Sequence, residues 1–205
     1  MSGSLDYDLF RGINGWAGHS HAVDAIMVVC AKFLPVVFAL VLLGLWLTWK
    51  PTNQRAALMT GISALVALGV GQLIGIAFPR PRPYLTHQVK LLISPTADTS
   101  FPSDHATLGF AVAVFVWRYN RRAGTALLLL ALVLAFARVF VGAHYPIDVL
   151  GGAVLGTLTS MAIAVLSESS PLRNWLNAFF KLLAQWRLAA PSPETIAEPS
   201  TSRGK

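Results

Sequence analysis

Three short segments of this 205-residue chain hold the side chains able to do chemistry: Arg80-Pro81-Arg82-Pro83, then Pro102-Ser103-Asp104-His105, then Arg138 with His144 and Asp148. All three lie beside long apolar blocks, where an unpaired ionisable residue is costly and so marks function. Arg138 and His144 are six positions apart, which on one continuous helix would turn them about 120° from each other, so a shared pocket requires a break between them. Gly142 supplies the break, and Pro146 starts the next helix from its favoured first-turn position. Asp148 then falls near the third residue of that helix, where its carboxylate can turn back and accept a proton from His144. A histidine oriented this way is held in one tautomer and presents its other nitrogen as nucleophile or base. Taken alone, the spacing equally permits a simple helix cap with a histidine beside it.

The second segment narrows the choice. Ser103 or Asp104 caps a helix whose free N–H groups and dipole end suit an anion. His105, in the first turn, is placed to give that anion a proton. Arg80 and Arg82 sit in a proline-stiffened strip that cannot be helical, and the guanidinium fork matches phosphate oxygens. Two histidines, two or three arginines and a helix start describe phosphoryl transfer in which one histidine attacks phosphorus and the other protonates the leaving oxygen. Asp104 and Asp148 are the only carboxylates in the three segments, too few for a two-metal clamp. No metal and no other cofactor is therefore expected, and turnover should survive chelation.

The elements that must position these residues are membrane spans. Apolar residues make up 55% of the chain, mean hydropathy is +0.59 and charged residues are 12%, about half the share of a soluble domain. Five blocks read as spans: Ala22 to Trp49, Ala56 to Phe78, Asp104 to Trp117, Thr125 to Gly142 and Pro146 to Leu166. The expected fold is an all-α integral membrane protein with about five to six transmembrane helices and an interfacial amphipathic helix at each end. Leu5, Leu9, Phe10, Ile13 and Trp16 mark the first interfacial helix; Leu172, Trp175, Leu176, Phe179, Leu183 and Trp186 form the apolar stripe of the second. Residues 1–170 are expected to form the membrane-embedded domain, 171–190 the second interfacial helix, and 191–205, rich in Pro, Ser, Thr and Glu, a disordered tail. The formal charge of +7 comes from basic residues at the ends of apolar blocks, which points to orientation in the bilayer and not to nucleic acid. Lys50, Arg55, Arg118, Arg121, Arg122, Arg173, Lys181, Arg187, Arg203 and Lys205 fall on one side, so that side and both termini are expected in the cytoplasm. The loop from Pro79 to Ser103 is expected outside. Cys30 is expected to be a packing residue, and Gly71-x3-Gly75 and Gly152-x3-Gly156 close helix-packing positions.

In that order, and with spans between them, Arg82-Pro83, Pro102-Ser103-x-His105 and Arg138-x5-His144-x3-Asp148 resemble the three-part signature of the type 2 phosphatidic acid phosphatase superfamily. Each part is weak, but the ordered set is highly specific. The surrounding residues, Arg80-Pro81-Arg82-Pro83-Tyr84 with His87-Gln88-Val89, Ser100-Phe101-Pro102-Ser103-Asp104-His105 and Gly142 through Gly151, are similar to the bacitracin-resistance type of undecaprenyl-diphosphate phosphatase. The likeness covers about residues 5–170. It implies that His144 becomes phosphorylated, that Asp148 orients it, that His105 is the general acid, and that Arg82, Arg138 and Ser103 bind the phosphoryl group. It further implies a polyprenyl diphosphate substrate, a bacterial plasma-membrane location, and regeneration of the monophosphate carrier of cell-wall synthesis.

The chain departs from the family pattern twice. The lysine seven residues before the Arg-Pro pair is absent: that position is Gly75 counting from Arg82, or Leu73 counting from Arg80. The serine that often precedes the third-motif arginine is Ala137. Because a diphosphate needs a second anion patch, Arg80, with Lys90 or His87, is expected to hold the phosphate that stays on the lipid. The competing readings are a phosphatase for phosphatidic acid or phosphatidylglycerol phosphate, a lipid phosphotransferase, and a non-enzymatic lipid-binding or transport protein. A binding protein would need only the arginines, and the histidine pair argues against it.

Overall fold

Proline and asparagine set most of the helix starts. A computed structural model describes residues 5–186 except residue 97, and the regular elements among its described residues are helices: α1 (Leu5–Asn14), α2 (His21–Leu47), α3 (Pro51–Ala77), a single turn α4 (Pro83–Thr86), α5 (Asp104–Tyr119), α6 (Arg121–Phe140), α7 (Pro146–Ser167) and α8 (Ser170–Gln185). Pro51 opens α3 five residues ahead of the expected start, and Pro146 opens α7 where expected. Asn120 opens α6 before the expected Thr125, because its side-chain oxygen accepts from the Ala123 N–H. The expected disordered tail, and residues 187–190 of the expected second interfacial helix, lie outside the described residues, as does the side chain of Leu172.

Helices α2, α3, α6 and α7 are each long and apolar enough to cross a membrane. The 16-residue α5, the short third span of the sequence reading, is enclosed by α3, α6 and α7. Small buried residues let it sit there: Ala106, Gly109, Ala111 and Ala113 bring neighbouring backbones close. A Cβ added at Gly156 of α7 would lie 2.3 Å from the Thr107 carbonyl oxygen, and one at Gly152 would lie 2.5 Å from that of Ser103. This pair is the tight α5–α7 crossing. On α3 the pair divides: a Cβ on Gly71 would meet Leu155 of α7 and Pro102, both at 3.5 Å, whereas the nearest atoms to one on Gly75 are Thr99 Oγ1 and the Phe101 carbonyl oxygen, so Gly75 receives the loop and not another helix. The outer faces carry Leu43, Leu65, Leu129, Leu150 and Leu158 exposed, as lipid contact requires.

The two amphipathic helices dock on the bundle. Phe10 of α1 is buried against Val139 and Tyr145, and Asn14 gives its amide N–H groups to the carbonyls of Lys90 and Phe140 while accepting from the Lys90 N–H. Leu5, Leu9 and Trp16 stay exposed. At the other end of the bundle, Leu176 and Phe180 of α8 are buried with Met59, Phe115 and Ala164, while Trp175 and Trp186 face outward. The expected stripe is thus rotated, with Phe180 turned inward. Arg55 of α3 bonds Asn177 and lies over the Phe180 ring, which joins α8 to α3.

Candidate active site

Gly142 ends α6 at φ +83°, a left-handed conformation that glycine adopts without steric cost, and a Cβ there would press on the Lys90 carbonyl oxygen. The turn continues through the Ala143 N–H, which bonds the Arg138 carbonyl, and delivers His144 to the start of α7. His144 is 1% exposed. Its Nδ1 lies 2.9 Å from the Ser100 carbonyl oxygen, which can only accept, so Nδ1 carries the proton and Nε2 keeps its lone pair. Burial first, and then the charges of Arg82 and Arg138, push the His144 pKa well below the ordinary histidine range, so the imidazole is neutral at physiological pH.

Asp148 does not take the proton of His144. The carboxylate is 3.9 Å from Nδ1, beyond hydrogen-bond range. It accepts instead from Ser100 Oγ at 2.5 Å, from the Tyr145 N–H at 2.9 Å and from Arg80 Nη1 at 2.6 Å. The helix-cap reading and the orienting reading are therefore both partly right. Asp148 caps α7, and it fixes His144 indirectly, by holding the residue whose carbonyl meets the imidazole. The sequence reading named Ser100 without giving it a role: it contacts His144 through its backbone carbonyl, a group every residue has, and Asp148 through its hydroxyl, a pairing 48 positions apart that no local spacing marks.

Beside the unprotonated Nε2 lies a cavity of about 250 Å³ lined by Gly71, Gln72, Arg82, Asp98, Thr99, Asp104, His105, Arg138 and His144, among others. The proline strip brings in Arg82, 4% exposed, whose Nη1 donates to His144 Nε2 at 3.1 Å and to the Ala143 carbonyl at 3.0 Å. The last turn of α6 brings in Arg138, 5% exposed. The N-terminus of α5 brings in Asp104 and His105, with Ser103 fully buried at its N-cap position. Among the described residues, Ser103 Oγ and Arg138 Nε are the buried side-chain polar atoms without a hydrogen-bond partner. A buried donor left unpaired is costly, and at the wall of a cavity it fits a ligand oxygen. Histidine, guanidinium and the open end of a helix thus converge on one anion-sized space, and the buried Ser103 lies in the chain between its lining residues Pro102 and Asp104.

Three of the expected phosphate contacts are elsewhere. Arg80 faces away from the cavity, bonding Asp6 of α1 at 2.5 Å and Asp148, with its guanidinium 4.2 Å from the centre of the Tyr145 ring. Lys90 Nζ donates to the Ala17 carbonyl at 2.6 Å. His87 stacks on Tyr7 at 3.9 Å and meets the Tyr145 hydroxyl at 3.0 Å. Each is drawn to a partner on or beside α1, so they do not assemble a second phosphate patch. Gly75, seven residues before Arg82, is filled over by Thr99 and Phe101, and α3 contributes to the cavity Gly71, neutral Gln72 and Ile76. No cation from α3 replaces the missing lysine among the described residues. A larger cavity, about 660 Å³, opens at the far end of the bundle among Arg55, Trp117, Arg118 and Arg173, but it contains no histidine.

Both the helical membrane bundle and the chemistry of its pocket define a lipid-phosphate phosphatase, and the chain belongs to the PAP2 superfamily, whose model matches residues 55–170. Over 154 residues it is 36% identical to the undecaprenyl-diphosphatase BcrC of Bacillus subtilis (strain 168), covering 75% of this chain and 80% of that protein. It is 31% identical over 191 residues to the putative undecaprenyl-diphosphatase YbjG of Escherichia coli (strain K12), covering 89% and 96%. The crystal structure of Aquifex aeolicus LpxE superposes with a TM-score of 0.67 at 22% identity, covering 80% of this chain and 96% of that one, which is a likeness of fold.

Proposed function

We propose that this protein hydrolyses undecaprenyl diphosphate to undecaprenyl phosphate and inorganic phosphate, on the extracytoplasmic face of the plasma membrane. His144 Nε2 attacks the terminal phosphorus and the bond to the bridging oxygen breaks. His105 protonates that oxygen as lipid monophosphate leaves, and the phosphoryl group remains on His144. Water, deprotonated by the same His105, then attacks phosphorus and frees His144. Arg82, Arg138, Ser103 and the α5 N-terminus receive the charge on the transferring oxygens. The observation that carries this reading is the meeting of His105 and His144 with Arg82 and with Arg138, whose buried Nε has no partner, in one cavity.

The diphosphate substrate rests on the similarity to the BcrC and YbjG relatives, since the second patch drawn from Arg80, Lys90 and His87 does not face the cavity. Phosphate release by purified protein, with chelator present, should show its highest kcat/KM on a polyprenyl diphosphate against phosphatidic acid and phosphatidylglycerol phosphate. Equal efficiency on all three would favour a general lipid phosphatase, and a strict need for an added divalent ion would overturn the proposed source of charge neutralisation.

A further inference from the structure

Arg82 already holds an anion. Its Nε donates to Asp98 Oδ1 and its Nη2 to Asp98 Oδ2, both at 2.9 Å, the fork geometry that would otherwise grip two phosphate oxygens. Its Nη1 is engaged by Ala143 and His144, so four of the five guanidinium N–H groups are taken. The two partners differ in freedom: the Arg82 side chain is 5% exposed, whereas that of Asp98, on the loop between α4 and α5, is 53% exposed. Arg82 is the fixed member and Asp98 the one able to leave. Hydrogen bonds from Thr96 and Arg82 outweigh the effect of partial burial and hold the Asp98 carboxyl below its usual range, so it is charged at neutral pH.

We propose that Asp98 is a specificity-determining residue, a resident carboxylate that keeps the singly charged phosphodiester headgroups of the surrounding bilayer off Arg82 and yields to a terminal phosphate. This rests on the reading of Arg82 as a phosphate-binding residue. A site at a membrane surface is bathed in phosphodiester lipids, present in vast excess over any lipid diphosphate. A phosphodiester offers Arg82 one negative charge over two oxygens, which is what Asp98 supplies already, so the exchange gains nothing. A terminal phosphate brings three non-bridging oxygens and up to two charges. It can occupy Arg82 while also reaching Arg138, whose Nε has no partner. Among the lining residues Asp98 and Asp104 balance Arg82 and Arg138, so the resting pocket carries no formal excess of charge to attract a monoanion. Displacing Asp98 also frees Arg82 to turn with the phosphate and uncover His144 Nε2.

The test compares the full chain with Asp98→Asn, which keeps the shape and loses the charge, and with Asp98→Glu. Retention of phosphatidylglycerol, a phosphodiester, and of inorganic phosphate is measured by native mass spectrometry, and their inhibition constants against lipid-diphosphate hydrolysis are measured in mixed micelles. Asp98→Asn should tighten phosphatidylglycerol by about 10- to 150-fold, the range of one charge-assisted contact, and inorganic phosphate by clearly less. Asp98→Glu should stay nearer the native protein on both. Unchanged phosphatidylglycerol affinity in Asp98→Asn, or equal tightening of both ligands, would overturn the proposal. The binding arm is read without turnover, so a failure of the proposed activity would show as absent hydrolysis while the affinity ratio still decided the role of Asp98.

Discussion

Removing the Arg80 guanidinium leaves the fully buried Asp148 carboxylate with only Ser100 Oγ and the Tyr145 N–H to hold its charge. Breaking a buried ion pair from one side costs about 3–5 kcal/mol, and the 29% exposure of Arg80 puts this pair at or below the lower end. Arg80→Ala is therefore expected to lower thermal stability in detergent and to slow hydrolysis of lipid mono- and diphosphates alike, because the loss acts through Ser100 on His144. A loss confined to the diphosphate would return Arg80 to the pocket. In a double-mutant cycle, Asp148→Asn and Arg80→Ala should be strongly non-additive. His105, His144, Arg138, Arg82 and Ser103 were legible in the sequence as a candidate site because their types and order fit phosphoryl transfer. Ser100, Gln72 and Asp98 were not, because each acts through a tertiary contact made by an irregular loop or a helix face, where no local spacing marks it.

Helices were legible for a simpler reason. Apolar blocks of span length leave few alternatives in a bilayer, and the five expected spans fall on α2, α3, α5, α6 and α7. Depth and rotation were less legible: α8 turned Phe180 inward because Met59, Phe115 and Ala164 leave a recess there, a fact of packing that its own sequence does not contain. The crossing of α5 and α7 carries the element-level prediction, since α5 begins with Ser103 and His105 while α7 begins just after His144. Gly156→Ala would place a Cβ 2.3 Å from the Thr107 carbonyl oxygen and 2.9 Å from the Ala111 nitrogen, forcing the helices apart. It should destabilise by about 1–3 kcal/mol, the usual cost of overpacking, and lower kcat as the histidines separate. Gly44→Ala, with nothing within 4 Å of the new Cβ, is the control and should leave both melting temperature and kcat near native. Equal behaviour of the two variants would remove the crossing from the account.

At the scale of the whole molecule, one end of the bundle holds the histidines and the loop after α3, and the other holds Arg55, Arg118, Arg121, Arg122 and α8. The excess of basic residues at the second end predicts that it faces the cytoplasm. The expectation that both termini lie there is corrected: five spans separate α1 from α8, and α1 docks at the histidine end while α8 docks at the basic end, so the two lie on opposite sides. Single cysteines at Thr96 and Arg122, both exposed, in a Cys30→Ala background should label from outside and from inside respectively. Reversed labelling would put the pocket in the wrong leaflet for a carrier released outside the cytoplasm. The central claim, that His144 Nε2 attacks phosphorus, is tested most directly by trapping the intermediate. Protein mixed with substrate labelled in its terminal phosphate, then denatured within milliseconds in alkaline detergent, should carry an alkali-stable, acid-labile label on His144, and His144→Ala should carry no label and show no turnover. Turnover retained in a folded His144→Ala protein, or a label on any other residue, would contradict the account.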